Sequence, residues 1–259
     1  MKRSPAQKMG VALLAMALVL VACTAVQTDQ KVRAEALRDL GEAHLLDNAP
    51  RAALRELLDA ERLNPSDPRL HNLLGLAYDE LNRLDLADQH FSKALELKPD
   101  FSEARNNLAV VLLKQEQYAA AIDHLERILA DLLYPTPHLA ACNLGWAYYR
   151  TGRQEKAEQA YRLALSHYER DAIRDQTFIR ALVGLGRVLL AQNRAEEAIA
   201  PLQTAAGLVP ERAEIQFDLG RAYAAVGDTH NARYALGKVI ELAPDSDWAK
   251  KARDLVAER

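Results

Sequence analysis

Histidines and a cysteine are the residues with the clearest potential for chemistry in this chain. The seven histidines contain no pair at i, i+3 or i+4, the spacing at which one helix presents two ligands to a metal. His90 and His124 are 34 residues apart, and we interpret them as equivalent surface positions of a repeat. Cys142 could act as a nucleophile, but a lone helical cysteine is usually a small hydrophobic residue. We therefore predict no metal site and no catalytic thiol.

Glycine loops and carboxylates also give no catalytic pattern. The chain has no G-x-S-x-G and no Walker loop, and Gly184-Leu185-Gly186 lacks the third glycine of a dinucleotide-binding fingerprint. The acidic residues fall mainly on positions predicted to face solvent, such as Glu155, Glu158, Glu196 and Glu197. These patterns favour a binding scaffold that is not an enzyme and uses no cofactor and no small-molecule substrate.

Composition indicates an all-α protein. Of the 259 residues 49% are apolar, enough for a sizeable core, whereas only 6% are aromatic, and Ala, Leu, Glu, Arg and Gln are abundant. Lys and Arg number 33 against 36 Asp and Glu, so the net charge is −3 and the basic excess of a nucleic-acid-binding protein is absent.

The N-terminus has the layout of a secretory signal. Basic residues precede an apolar run of 12 residues, 11–22, which is too short to span a membrane. Its end, Leu20-Val21-Ala22-Cys23, resembles the lipobox of bacterial lipoproteins, which implies cleavage after residue 22 and lipidation of Cys23. The alternative is a plain signal peptide with an accidental cysteine. Thr24 is not the Asp that retains enteric-type lipoproteins at the inner membrane, so we expect an outer-membrane lipoprotein.

A repeat dominates the remaining sequence. Gly or Ala recurs at 41, 75, 109, 145, 186 and 220, at intervals of 34, 34, 36, 41 and 34 residues. A second Ala follows each of them after 12 residues, and a large apolar residue follows that Ala after four more. This pattern resembles the tetratricopeptide repeat, a pair of helices, and implies a right-handed α-solenoid of six repeats with a C-terminal capping helix.

The repeat phase divides the chain as follows: signal peptide 1–22, lipidated tether 23–33, repeats 34–67, 68–101, 102–137, 138–178, 179–212 and 213–246, and capping helix 247–259. Five of the six predicted hairpin-turn residues are Gly or Asn, which tolerate a left-handed backbone conformation, and the sixth is Glu116. Proline follows four of the second helices and would end them. We expect Asp247 to cap the last helix, and the seven extra residues of repeat four to lengthen its second helix.

In tetratricopeptide solenoids the first helices line the concave groove. Applied to this chain, that rule predicts a partner-binding strip, which inter-repeat packing could partly hide. Its residues are Leu45, Asn72, Leu76, Asn106, Val110, Leu113, Trp146 and Tyr149. Because exposed apolar patches mark partner sites, we expect the groove of repeats one to four to hold the partner.

A lipobox followed by six such repeats resembles the PilF/PilW/Tgl family of type IV pilus biogenesis lipoproteins. The stretch 134–145, YPTPHLAACNLG, and Asn106-Asn107-Leu108 are especially similar to that family. The resemblance implies a pilotin, lipid-anchored on the periplasmic face of the outer membrane, that binds protomers of the secretin PilQ. The alternative is a lipoprotein adaptor for cell-wall hydrolases or outer-membrane assembly factors.

Overall fold

The computed structural model describes residues 28–168 and 175–257, and over these ranges it contains thirteen α-helices and no strand. The all-α fold predicted from the sequence is therefore confirmed. The helices are α1 (28–46), α2 (Pro50–Leu63), α3 (Pro68–Glu80), α4 (Leu84–Leu97), α5 (Ser102–Lys114), α6 (Tyr118–Leu129), α7 (Pro137–Arg150), α8 (Gln154–Ser166), α9 (Gln176–Ala191), α10 (Ala195–Leu208), α11 (Ala213–Ala225), α12 (Thr229–Leu242) and α13 (Asp247–Ala257).

Two predictions about the N-terminus concern residues that lie wholly or partly outside the described ranges. The signal segment 1–22 and Cys23 lie outside the described residues. The polar segment 24–33, predicted as a tether, is helical from residue 28 onward. Among the helices that are described, none is long and apolar enough to cross a membrane.

The chain divides into two compact units, one ending at Val111 and the other beginning at Leu112. In the first unit, α3 packs against both α2 and α4. In the second unit, each helix from α6 to α13 packs against the next one along the chain. There α9 also contacts α7 and α11, so the first helices of repeats four, five and six lie side by side.

Close approach of helices within each hairpin explains the glycine positions. A Cβ on Gly75 of α3 would lie 2.5 Å from Cε1 of Phe91 on α4, whose side chain is fully buried. Contacts of the same kind join glycine and a large side chain 16 residues later: Gly41 and Leu57, Gly145 and Tyr161, Gly186 and Leu202, Gly220 and Leu236. The sequence pattern of small and large residues is therefore the packing pattern of each helix pair.

The hairpin turns adopt the predicted left-handed conformation. The six turn residues, and no other described residues, have positive φ angles of 55–79°: Asn48, Asn82, Glu116, Gly152, Asn193 and Gly227. Glu116 adopts this conformation at a cost that Gly and Asn largely avoid. The turn geometry is therefore common to all six hairpins, whatever the residue type.

Proline and polar caps set the helix ends. α2, α4, α10 and α12 each end two residues before a proline, as predicted: Pro65, Pro99, Pro210 and Pro244. The predicted cap of α13 is wrong by one residue. Ser246 caps it by accepting a hydrogen bond from the backbone N–H of Ala249 (3.1 Å), and Asp247 is the first helical residue.

The extra residues of repeat four do not lengthen its second helix, so that prediction is wrong. α8 ends at Ser166, and the insertion follows it, with 169–174 outside the described residues. The Tyr168 hydroxyl donates to the carboxylate of Asp175 (3.0 Å), which also caps α9 by accepting from the Thr177 N–H (2.6 Å). These bonds fix both described ends of the insertion.

Glu158 on α8 is less exposed than the sequence predicts. Its side chain is 14% exposed and accepts hydrogen bonds from Arg194 (2.6 Å) and Arg162 (2.8 Å). Burial opposes ionisation, but these guanidinium groups outweigh it and lower the pKa of Glu158. Glu158 therefore links α8 to the N-terminus of α10.

Candidate functional site

The predicted strip residues of the first two repeats are mostly packed. Leu45 and Leu76 are half-buried against the core of the first unit. Asn72 is only 7% exposed, and its Oδ1 accepts a hydrogen bond from Asn107 Nδ2 (3.0 Å). Asn72 therefore joins α3 to α5 instead of facing a partner directly.

The α5 members of the strip are also half-buried. Asn106, Val110 and Leu113 each keep part of their surface accessible. The buried Oδ1 of Asn106 has no hydrogen-bond partner. These residues offer a mixed polar and apolar surface on the first helix of repeat three.

Two strip residues on α7, Trp146 and Tyr149, line open space. They border two pockets in the second unit, of about 300 Å³ and about 500 Å³, which also share Arg187 of α9. The first pocket extends to Ile215 on α11 and the second to Trp248 on α13. We call the surface formed by the residues of both pockets the C-terminal groove.

Aromatic side chains line the C-terminal groove from α7 to α13. The rings of Trp146 and Tyr149 have centroids 6.1 Å apart, and those of Phe217 and Trp248 have centroids 5.1 Å apart. Lys251 Nζ lies 5.1 Å above the centre of the Trp248 ring. Trp146, Tyr149 and Trp248 are half-buried, and Phe217 is buried beneath Trp248. Partly accessible aromatic rings supply large contact area at protein interfaces.

The groove is positively charged although the chain is negative. Five basic and two acidic side chains line it, a balance of +3 against −3 for the whole chain: Arg180, Arg187, Arg212, Arg221, Lys251, Glu214 and Asp218. Both acidic residues are paired, Asp218 with Arg187 and Glu214 with Arg212, each at 2.6 Å. The groove therefore offers a positive potential to an incoming ligand.

Asp218 has a positioning role. It is 3% exposed, and Arg187 Nε donates a hydrogen bond to its Oδ2 (2.6 Å), while Arg221 lies 3.7 Å from its other oxygen. Burial raises the pKa of Asp218, and the two arginines act in the opposite direction. The buried carboxylate thus holds two arginines of neighbouring first helices at the groove.

Tyr161 and Cys142 form the buried wall of the smaller pocket. Tyr161 is 2% exposed and packs against Gly184, where any Cβ would overlap its ring. Cys142 is 3% exposed, its Sγ lies 3.8 Å from the Thr177 carbonyl oxygen, and burial raises the pKa of the thiol to about 11. The protonated, enclosed thiol has the character of a small hydrophobic residue, not of a nucleophile.

In a tetratricopeptide repeat the second, fifth, ninth, twelfth and thirteenth positions face the groove. Applied to repeat six, this rule finds more of the site than the predicted strip contains. Positions five and nine of repeat six are Phe217 and Arg221, and both line the second pocket. Trp248 and Lys251 follow no repeat rule, because they belong to the capping helix. Only the packing of α13 against α11 brings them to the groove.

Comparison with known proteins shows the same repeat. Tetratricopeptide repeat family models match residues 68–101, 100–170 and 180–247, together more than half of the chain. The crystal structure of PilW, a widely conserved type IV pilus biogenesis factor, is 21% identical with a TM-score of 0.72, over 84% of this chain and 97% of that one. PilF of Pseudomonas aeruginosa is 20% identical with a TM-score of 0.74, over 89% of this chain and all of that one.

A curated relative matches a shorter stretch. The peroxisomal targeting signal receptor of Candida glabrata is 41% identical over 66 residues, 26% of this chain. The matched stretch spans 11% of the receptor's length. These likenesses establish a shared repeat fold.

Proposed function

Because the chain belongs to the tetratricopeptide repeat family, we propose that it is a non-enzymatic scaffold of type IV pilus biogenesis that binds the secretin PilQ. In this proposal Cys23 carries the lipid that anchors the chain to the periplasmic face of the outer membrane. The chain then acts as a pilotin, which holds secretin protomers at that membrane while they assemble.

The C-terminal groove is the observation that carries the binding role. Trp146 and Tyr149 were predicted from repeat position, and they line adjoining pockets of about 300 and 500 Å³. Pockets with aromatic walls and a few placed charges are typical of ligand and peptide sites. The helices α7, α9 and α11 that build the binding surface pack side by side, so we expect the surface to be formed before the partner binds.

Fold likeness and the N-terminal motif support the pilus role. PilW and PilF resemble this chain over nearly their whole length. Leu20-Val21-Ala22-Cys23 adds the lipobox that a lipid-anchored scaffold requires. Several acyl chains would hold such a protein on a membrane, since one chain alone binds only marginally.

The charge of the C-terminal groove indicates what kind of partner segment it would bind. A groove with a balance of +3 favours an acidic segment, and its aromatic side chains favour apolar side chains within that segment. Arg180 is exposed at the groove. We expect Arg180→Glu to slow association and to reduce its dependence on salt, because rim charges act mainly on the association rate.

Binding of purified PilQ from the same organism tests the proposal. Trp146→Ala removes an aromatic anchor, which costs about 2 kcal/mol of binding, or about 30-fold in Kd. Tyr234→Ala is the matched control, since Tyr234 is an aromatic residue 63% exposed on α12 and does not line either pocket. Titration of the full chain and both variants, each checked for its thermal melt, measures the difference.

Equal affinity for PilQ in folded Trp146→Ala and in wild type would contradict the groove as the contact. No measurable affinity of the wild-type chain for PilQ would contradict the pilotin role itself.

A further inference from the structure

A cluster of three metal-ligating side chains lies in the first unit, and none of them lines the C-terminal groove. Glu61 on α2, His71 on α3 and His90 on α4 place one ligand atom each within 4.8 Å of the other two. Nδ1 of His71 is 3.1 Å from Nδ1 of His90 and 3.8 Å from Oε1 of Glu61. His71 is buried, whereas Glu61 and His90 are partly exposed.

The hydrogen bond made by Nε2 of His71 shows where this ring carries a proton. Nε2 lies 2.8 Å from the carbonyl oxygen of Pro65, which can only accept a hydrogen bond. Nε2 therefore carries a proton, and Nδ1 faces His90 Nδ1 (3.1 Å) and Glu61 Oε1 (3.8 Å). An Nδ1 without a proton would direct its lone pair at these two groups. A histidine that donates one N–H to a backbone carbonyl while its other nitrogen is unprotonated has the arrangement of metal-ligating histidines.

The same proline carbonyl contact occurs in repeats that have no histidine at the position of His71. Arg105 donates to the carbonyl of Pro99, and Gln216 Nε2 donates to that of Pro210 (3.3 Å), each six residues after its proline. An arginine or a glutamine therefore satisfies this carbonyl as well as His71 does. What histidine adds at this position is Nδ1, directed at two further ligands.

We propose that Glu61, His71 and His90 bind one Zn²⁺ ion that links the second helix of repeat one to both helices of repeat two. Tetrahedral ligands at about 2.0–2.1 Å from zinc lie about 3.3–3.4 Å from one another. The distances of 3.1 and 3.8 Å from His71 Nδ1 bracket that value, and the ligand atoms of His90 and Glu61 lie within 4.8 Å of each other. Imidazole and carboxylate form a common zinc ligand set, and three protein ligands leave a fourth position for water. Tyr78 stacks on the His90 ring at 5.3 Å and orients it.

Zinc titration of the untagged full chain, purified in detergent and stripped with a chelator, tests the site. We expect one zinc per chain and a melting temperature raised by about 5–10 °C at a zinc concentration 100 times the Kd. Glu61→Gln and His90→Gln should each weaken zinc binding at least tenfold, since even the outer partners of metal ligands change affinity by about 10–100-fold. Both substitutions preserve side-chain size and hydrogen bonding, so the metal-free melting temperature should change little.

His124→Gln provides the matched control. His124 occupies in α6 the repeat position of His90 in α4, but the repeat positions of His71 and Glu61 carry Arg105 and Leu95. Its zinc affinity should equal that of wild type. Absence of zinc binding by wild type at about 10 µM, or unchanged zinc affinity in Glu61→Gln and His90→Gln, would overturn the proposal.

Discussion

A single methyl group at Gly75 tests the packing of the helix pairs most sharply. Its carbon would lie 2.5, 2.6 and 2.8 Å from three atoms of the Phe91 ring, which is fully buried and cannot move aside without displacing the core. Overpacking of this kind costs about 1–3 kcal/mol, whereas Ala gains about 1 kcal/mol over Gly in a helix. We therefore expect Gly75→Ala to change the free energy of unfolding by about 0 to 2 kcal/mol in the destabilising direction.

Substitution of Gly237 in α12 measures the gain in helix propensity without the cost of overpacking. This glycine is also inside a helix, but a Cβ there would meet no atom within 4 Å. Gly237→Ala should therefore stabilise the protein by about 1 kcal/mol. The difference between the two variants, about 1–3 kcal/mol, is then the overpacking cost, and Gly75→Leu should exceed it.

Denaturant unfolding of the two variants and wild type measures this difference. The third repeat carries Ala109 and Leu125 at the positions of Gly75 and Phe91. Adding Phe91→Leu to Gly75→Ala should for this reason recover part of the loss. If Gly75→Ala stabilised the protein as much as Gly237→Ala does, Phe91 would not pack on Gly75 as described.

Three further predictions concern the anchor, α5 and the buried thiol. Cys23→Ala should abolish lipidation and impair secretin assembly, and equal palmitate labelling and membrane fractionation of mutant and wild type would contradict it. Val110 and Leu113 belong to the strip predicted from the sequence but not to the C-terminal groove. If the secretin also contacts α5, Val110→Asp or Leu113→Asp should impair its assembly in a chain that stays folded and lipidated, whereas Glu196→Lys should have little effect. Normal secretin multimers in the folded variants would exclude α5 from the contact. Burial raises the pKa of Cys142 to about 11. In the Cys23→Ala chain, Cys142 should therefore react slowly with a thiol reagent at pH 8 while the protein is folded, and rapidly once it is unfolded. Fast labelling of the native protein would show that the thiol is accessible.

Most of the fold could be predicted from local sequence patterns. The glycine and aromatic pair of Gly75 and Phe91, and the left-handed turn even at Glu116, follow from the repeat phase alone. The end of α8 at Ser166 did not, because seven inserted residues are compatible with either a longer helix or a loop. The cap at Ser246 was missed because Ser and Asp stand side by side and both cap helices well.

The site was predictable only where it follows the repeat. Trp146 and Tyr149 were found by position, but the inward packing of Asn72 depends on a hydrogen bond from Asn107, 35 residues away. His71 and His90 are 19 residues apart on different helices, so a search for histidine pairs within one helix could not find them. Contacts between helices are set by packing that no single-helix spacing describes.

Secretin assembly in a strain that lacks this protein tests the central claim most directly. The deletion strain is complemented with wild type, with Trp146→Ala or with Tyr234→Ala, and the heat-resistant PilQ multimer in the outer-membrane fraction is quantified. Loss of the multimer on deletion, recovery with wild type and Tyr234→Ala, and reduced recovery with folded, lipidated Trp146→Ala are the predicted results. A normal amount of multimer in the deletion strain would contradict the claim that this protein is the pilotin of the secretin.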